Sequence, residues 1–194
     1  MSGPLVALLV HQMDRSFDRI RTRLGGLSDE EFFWEPFAGC WTIHRRRPED
    51  RTWEPGVREF VNGKGEWVSD YAIPDLDPAP FTTIAWRLVH AGGINWMYHE
   101  HVFGPGKMDW DDYELPHTAS DAVAWWEAGY RRFRDALAET PDDGLSRVGV
   151  APWGDTRTVE EWSVVMLDEN VHHLAEVGVL RDLYRARRPQ SVAG

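Results

Sequence analysis

The stretch LDENVHHLAEVGVLRDLYR, Leu167–Arg185, decides how the chain folds. A helical step of about 100° per residue puts Trp162, Met166, Glu169, His173, Glu176, Leu180 and Leu183 on one side of a helix. The ends of this stripe are apolar and its middle is polar. A buried carboxylate without a partner costs several kcal/mol. Glu169, His173 and Glu176 therefore need partners from other helices or a shared cation. The opposite side, with Val164, Leu167, Val171, Leu174 and Gly178, is apolar too. The helix is predicted to be covered twice, the second cover being a β excursion or another copy of the chain.

Three more long segments carry helical periodicity. The first spans about 4–25, with Leu5, Leu8, Leu9, Met13, Phe17, Ile20 and Leu24 on a broad face and Gly25-Gly26 as its stop. The second begins near Thr82 and reaches about Phe103, where Gly104-Pro105-Gly106 ends it. The third starts after Thr118 or Ser120 and runs to about Ala138. The helix of the opening stretch starts at Thr158, with Glu161 three residues on as a capping box, and continues to about Arg185. Ser28 and Glu31 form another capping box before a short helix through Phe33.

Between the first and second long helices, about 38–80, the chain is rich in Trp, Pro, Gly and Arg. In REFVNGKGEWVSDY the Asn62-Gly63 pair between β-prone runs predicts a hairpin, and CWTI at 40–43 offers a third short strand. IPDLDPAPF, with three prolines in nine residues, is an extended lead into the next helix. The expected fold is mainly α: one four-helix bundle domain over 1–185, a small β-hairpin insertion between the first and second long helices, and a flexible tail over 186–194. Helical bundles place metal and ligand sites between facing helices.

Bulk properties bound the function. A chain of 194 residues favours one domain, able to bury about 70% of its unfolded surface without disulfides. Its one cysteine, Cys40, suits a reducing cytoplasm. A net charge of −11, with only the short basic runs HRRR at 44–47 and RARR at 185–188, speaks against nucleic-acid binding. MSGPLVALLV lacks the positive start and cleavage site of a signal peptide and reads as the first turns of a helix. No apolar run approaches the roughly 20 residues that span a bilayer. The expectation is a soluble cytoplasmic protein with no nucleic-acid or membrane partner. The eleven tryptophans read as core and interface packing.

Glu169 and His173 are four residues apart, so their Cβ atoms lie about 6 Å apart. A carboxylate oxygen and an imidazole nitrogen can then reach one ion at about 2 Å each. Zinc, nickel, manganese and ferrous iron all accept mixed nitrogen and oxygen ligands. His172 and Glu176 repeat the spacing, but His172 lies at the edge of the stripe. A third ligand must come from a facing helix. His90 shares a face with Thr83, Ile94 and Met97 in the second long helix, His101 lies near its end on the same face, and His99 points away. The glycines that follow His90 let another backbone or a ligand approach closely. The pattern alone leaves two readings open, a metal site and a buried acid–imidazole pair. Cys40 has no His/Asp arrangement to activate it and reads as packing. His11 lines the pocket or makes a plain hydrogen bond, and His44 and His117 sit in loops and carry no claim.

Three segments, in this order and at these spacings, resemble the DinB-like metal-binding four-helix bundle superfamily, which includes mycothiol-dependent maleylpyruvate isomerase-like proteins. They are GLSDEEFFWEP at 26–36, TTIAWRLVHAGG at 82–93 and ENVHHLAEVGVLRDLY at 169–184. The resemblance covers nearly the whole chain and implies an up-down-down-up four-helix bundle, a divalent metal and a homodimer. His90 matches the first ligand of that family and His173 the last. The position four before the last is often histidine in the family; here it is Glu169, which still ligates but leaves the metal open among zinc or nickel first, then manganese or iron. Relatives that use mycothiol, bacillithiol or glutathione imply metal-assisted thiol transfer or isomerisation on a small-molecule substrate. In that reading Glu176 is the catalytic group that orients a ligand or accepts a proton, unless a salt bridge to an arginine of another helix claims it. His101, His172 and Met97 would surround the ligands or the substrate. A metal-dependent hydrolase and a non-catalytic bundle holding a small ligand are the alternatives.

Overall fold

The structure is a computed structural model and describes residues 3–187, so the expected tail lies outside the described residues from 188 onward. In chain order the elements are α1 (Pro4–Leu24), α2 (Asp29–Phe32), β1 (Ile43–Arg45), β2 (Glu59–Asn62), β3 (Trp67–Ala72), α3 (Ile84–Val102), α4 (Ala119–Glu139), β4 (Val148–Val150), β5 (Thr156–Thr158) and α5 (Val159–Ala186). The fold is mainly helical. Helix α3 packs on α4 and α5, and α1 packs on the same two helices. Between its ends α3 is apolar nearly all round, which a helix tolerates only when other elements enclose it.

The helix starts follow the capping residues. Thr83, Thr118 and Thr158 each accept a backbone N–H from three residues on, and Thr158 with Glu161 forms the full reciprocal box. The box expected at Ser28 is only half formed. Ser28 Oγ accepts from Glu31 N at 3.2 Å, but the Glu31 carboxylate turns inward to Arg181. Arg181 is 0% exposed; its Nε donates to Glu31 Oε1 at 2.7 Å and its Nη2 to Oε2 at 3.1 Å. Its Nη1 donates to the carbonyls of Arg23 and Gly25. One buried guanidinium thus ties the end of α1 and the whole of α2 to α5. The buried row of α1 is Val6, Met13, Phe17, Ile20 and Leu24. Leu5 and Leu8, expected on that face, are exposed, because the row meeting α4 and α5 begins at Val6.

Strands β1, β3 and β2 form an antiparallel sheet in that order, with Phe60 opposite Tyr71 and His44 opposite Val68. The hairpin expected at Asn62-Gly63 joins β2 to β3. Gly63 has φ +121°, and a Cβ there would sit 2.9 Å from the Trp67 carbonyl oxygen, so only glycine fits. The third strand occupies 43–45 rather than 40–43. Trp41 instead pairs with the lead into α3: its N donates to Phe81 O at 2.8 Å, and Thr83 N donates to its carbonyl at 2.9 Å. Trp86 Nε1 donates to Asp70 O at 2.7 Å, a second stitch between α3 and β3.

A second antiparallel pair, β4 with β5, was not expected. The sheet of β1–β3 packs on α3, not on the outer side of α5, where Val164, Val171 and Val179 stay exposed while Leu174 and Gly178 are buried. Among the described residues no helix is long and apolar enough to cross a membrane.

Candidate metal centre

Two buried asparagines set α3 against α5. Asn170 Nδ2 donates to Asn95 Oδ1 at 2.6 Å, Asn95 Nδ2 donates back to Asn170 Oδ1 at 3.2 Å, and Trp126 Nε1 of α4 donates to the same oxygen at 2.7 Å. A fully satisfied polar network in an apolar interior fixes the register of the helices that carry it. In that register His90 of α3 meets Glu169 and His173 of α5. One donor atom from each lies within 4.8 Å of the others.

His173 Nε2 and Glu169 Oε2 are 3.0 Å apart. Two ligands held at about 2.1 Å from one ion lie roughly 3.0–3.4 Å apart, so this pair already has ligand spacing. The His90 ring meets His173 edge-on, with centroids 4.7 Å apart, and lies nearly parallel to Trp86 at 4.7 Å and Trp110 at 5.5 Å. Burial, reinforced by His173 and then Arg87 and His172, holds the His90 pKa well below the ordinary imidazole value. A neutral ring is the form that ligates a metal.

Arg87, one turn before His90, was not singled out by sequence reasoning. It is the one charged residue of α3 before Glu100, but nothing local in the sequence names its partner. Its Nη1 lies 2.9 Å from His173 Nδ1, its Nε donates to Thr82 Oγ1 at 2.7 Å, and Nε also lies 2.7 Å from Glu176 Oε2. A guanidinium only donates, so His173 Nδ1 accepts, and the ring proton sits on Nε2 facing Glu169. Burial lowers the Arg87 pKa, and the Glu176 carboxylate offsets only part of that fall.

The remaining expected residues fall as follows. Glu176 stands against Arg87, the salt bridge weighed from the sequence. His172 is exposed, stacks on His173 with centroids 4.4 Å apart, and lies 3.6 Å from Glu176. His172, His173 and Glu176 form a second group of potential ligands that shares His173 with the first. His101 uses Nδ1 on Val150 O at 2.8 Å and Nε2 on Met108 O at 2.7 Å, which holds the β4 segment and not the metal group. Met97 is fully buried in the core. His99 faces Arg132 at 3.2 Å, and His11 is exposed on α1. Leu183, placed on the buried stripe, is exposed, since the stripe ends at Leu180 and Arg181 takes the inward position. Cys40 is buried, donates to Phe37 O at 3.0 Å, and burial raises its thiol pKa, which fits packing.

Gly93 explains how Trp110 reaches His90. A Cβ at Gly93 would lie 2.2 Å from Trp110 Cζ3. Gly93→Ala is expected to push the indole off His90 and lower stability by about 1–3 kcal/mol, the usual cost of overpacking. Thermal unfolding and the tryptophan emission spectrum read both effects.

The donor set suits a divalent ion: two imidazoles and one carboxylate, one imidazole held neutral, two donors already at ligand spacing. No match is found among curated proteins. The family model of the DinB superfamily matches residues 12–177, a span that includes all three of these residues, and the chain belongs to that superfamily.

Proposed function

We propose that the protein is a divalent-metal-dependent enzyme that activates a low-molecular-weight thiol for S-transfer or isomerisation. The observation that carries this reading is the meeting of His90, Glu169 and His173 from two helices within 4.8 Å. Three protein ligands leave a coordination position free for a reactant, as catalytic rather than structural sites do. An ion held by these residues would supply the positive charge that lowers the pKa of a thiol beside it.

The chain's own residues supply the rest. His90 presents an unprotonated nitrogen, and Glu169 brings negative charge. Glu176 acts through Arg87, whose charge it balances. The up-down-down-up path of the long helices belongs to this reading. So does a homodimer, supported by the exposed Val164, Val171 and Val179 on the outer side of α5. Zinc or nickel is the preferred ion, with mycothiol, bacillithiol or glutathione as co-substrate and the cytoplasm as the compartment.

Metal-loaded protein supplied with these thiols and model electrophiles is expected to show thiol-dependent turnover that His173→Ala lacks. Equal rates in the two proteins would remove the reading, and ester hydrolysis without thiol would favour a hydrolase.

Arg87 makes a second expectation. Were His173 to hold an ion through Nε2, its ring proton would be left on Nδ1, opposite a guanidinium that also only donates. Arg87→Met removes that opposition and one positive charge. Its zinc affinity is expected to rise about tenfold, the scale of groups that contact a ligand from behind. Competition with a chromophoric chelator measures it.

A further inference from the structure

We infer that the cavity beside His90 and Glu169 takes an uncharged, largely apolar carbonyl compound, whose oxygen accepts hydrogen bonds from the Tyr98 hydroxyl and the Asn62 carboxamide. The inference deepens the reading above and rests on it for one point, that the substrate sits in this cavity. The cavity measures about 560 Å³, a size that suits a small organic molecule. Helix α3 lines it with His90, Ile94 and Tyr98, four residues apart and so aligned on one side of the helix. Strand β2 lines it with Phe60 and Asn62, two residues apart, and β3 with Tyr71, the partner of Phe60, so these three share one face of the sheet.

The observation that carries the inference is a pair of unspent polar groups. Tyr98 is 4% exposed and Asn62 6%. Comparably buried groups, the Asn95–Asn170 pair and the Tyr130 hydroxyl, are answered by protein atoms. The Tyr98 hydroxyl and the Asn62 carboxamide have no hydrogen-bond partner among the described residues. Neither is sealed inside the packing, so the little surface each keeps opens into the cavity it lines. A ligand that enters has to meet these groups or leave them stranded, and a stranded buried donor costs affinity.

The chemistry of the ligand follows from what the lining has to spare. Burial first, then the charge of Glu169, raises the Tyr98 pKa, so the hydroxyl stays protonated and donates. Asn62 adds an N–H donor, and one carbonyl oxygen has lone pairs for both. Asp109 and Asp111 are exposed and tied to the backbone N–H groups of Trp110 and Gly63. No lysine or arginine lines the cavity, so a carboxylate held by Tyr98 and Asn62 would lose its water and gain no counter-charge. Phe60, Ile94, Trp110 and Trp153 make the remaining wall largely apolar, which suits an apolar body. A carbonyl also makes the carbon atoms beside it electrophilic, as attack by a thiol requires.

The test is a calorimetric titration of metal-free protein with 2-acetylnaphthalene and with 2-isopropenylnaphthalene, in which a methylene of nearly the same shape replaces the carbonyl oxygen. Tyr98→Phe and Asn62→Leu are each expected to weaken the ketone about fivefold and to leave the hydrocarbon within about twofold, the scale of one hydrogen bond. The naphthalene-2-carboxylate anion is expected to bind more weakly than the ketone. Ligand-free Tyr98→Phe is expected to match or exceed the wild-type Tm, because its hydroxyl has no partner to lose. Equal losses for the two probes, no loss for the ketone, no binding of either, tighter binding of the anion, or a lower Tm for Tyr98→Phe would overturn the inference. Because metal and thiol are absent, the outcome is separate from turnover: ketone binding that depends on Tyr98 stands where thiol chemistry fails, and thiol turnover without that dependence overturns only the carbonyl grip.

Discussion

Alanine at His173 or at His90 is expected to bring the metal content of the purified protein from about one ion per chain to near zero. Each change removes one of three donors, drawn from two helices, and no neighbour can take its place: His101 is held by two backbone carbonyls and His99 faces Arg132. His172 has the donor chemistry but sits outside, stacked on the ring that would be lost. Glu169→Gln is expected to fall between, since an amide oxygen still ligates but carries no charge. Elemental analysis after purification without chelator reads all four proteins. Unchanged metal in His90→Ala would move the site to the second group, His172, His173 and Glu176; unchanged metal in both alanine variants would end the case for an ion at either.

Arg181→Met is expected to be the most damaging single change to stability. The side chain is fully buried and meets Glu31, itself 4% exposed, through two parallel hydrogen bonds. Removing one partner of a buried pair strands the other charge and costs about 3–5 kcal/mol. For a chain of this size that is a fall in Tm of about 10 °C. The carbonyls of Arg23 and Gly25 lose their donor too, so α2 and the end of α1 should loosen first, which amide exchange would locate. The double change Glu31→Leu with Arg181→Met is expected to recover most of the loss, because neither charge is then left alone. A single variant within 1 kcal/mol of the wild type would show that water reaches Glu31.

The helices were legible because their signals are local. Thr82, Thr118 and Thr158 mark starts that the structure reproduces within a residue or two, glycines mark the stops of α1 and α3, and Pro141 marks that of α4. The meeting of His90, Glu169 and His173 was legible for a different reason: polar groups at helical spacing among apolar ones have to be answered by something. What could not be read depends on partners far along the chain. Arg87 and Arg181 look like ordinary helix charges until His173 and Glu31 are seen opposite them. Strands β4 and β5 have three residues each, too short for alternation to register, and the Asn95–Asn170 pair gives no periodic sign at all. The tryptophans divided. Trp126 and Trp162 are core, as their size suggests, whereas Trp53 and Trp153 stand at the rim of a cavity, which composition cannot reveal.

The donors stand on α3 and α5, while much of the surrounding wall stands on the segment that carries β1–β3 and on two loops, those of Trp110 and Trp153. Reactivity and much of the selectivity therefore occupy different stretches of the gene. Exchange of that one insert, roughly residues 38–80, would retarget the molecule to a new guest without disturbing the scaffold that grips the ion, so descendants of this fold can diverge in diet while keeping the same teeth.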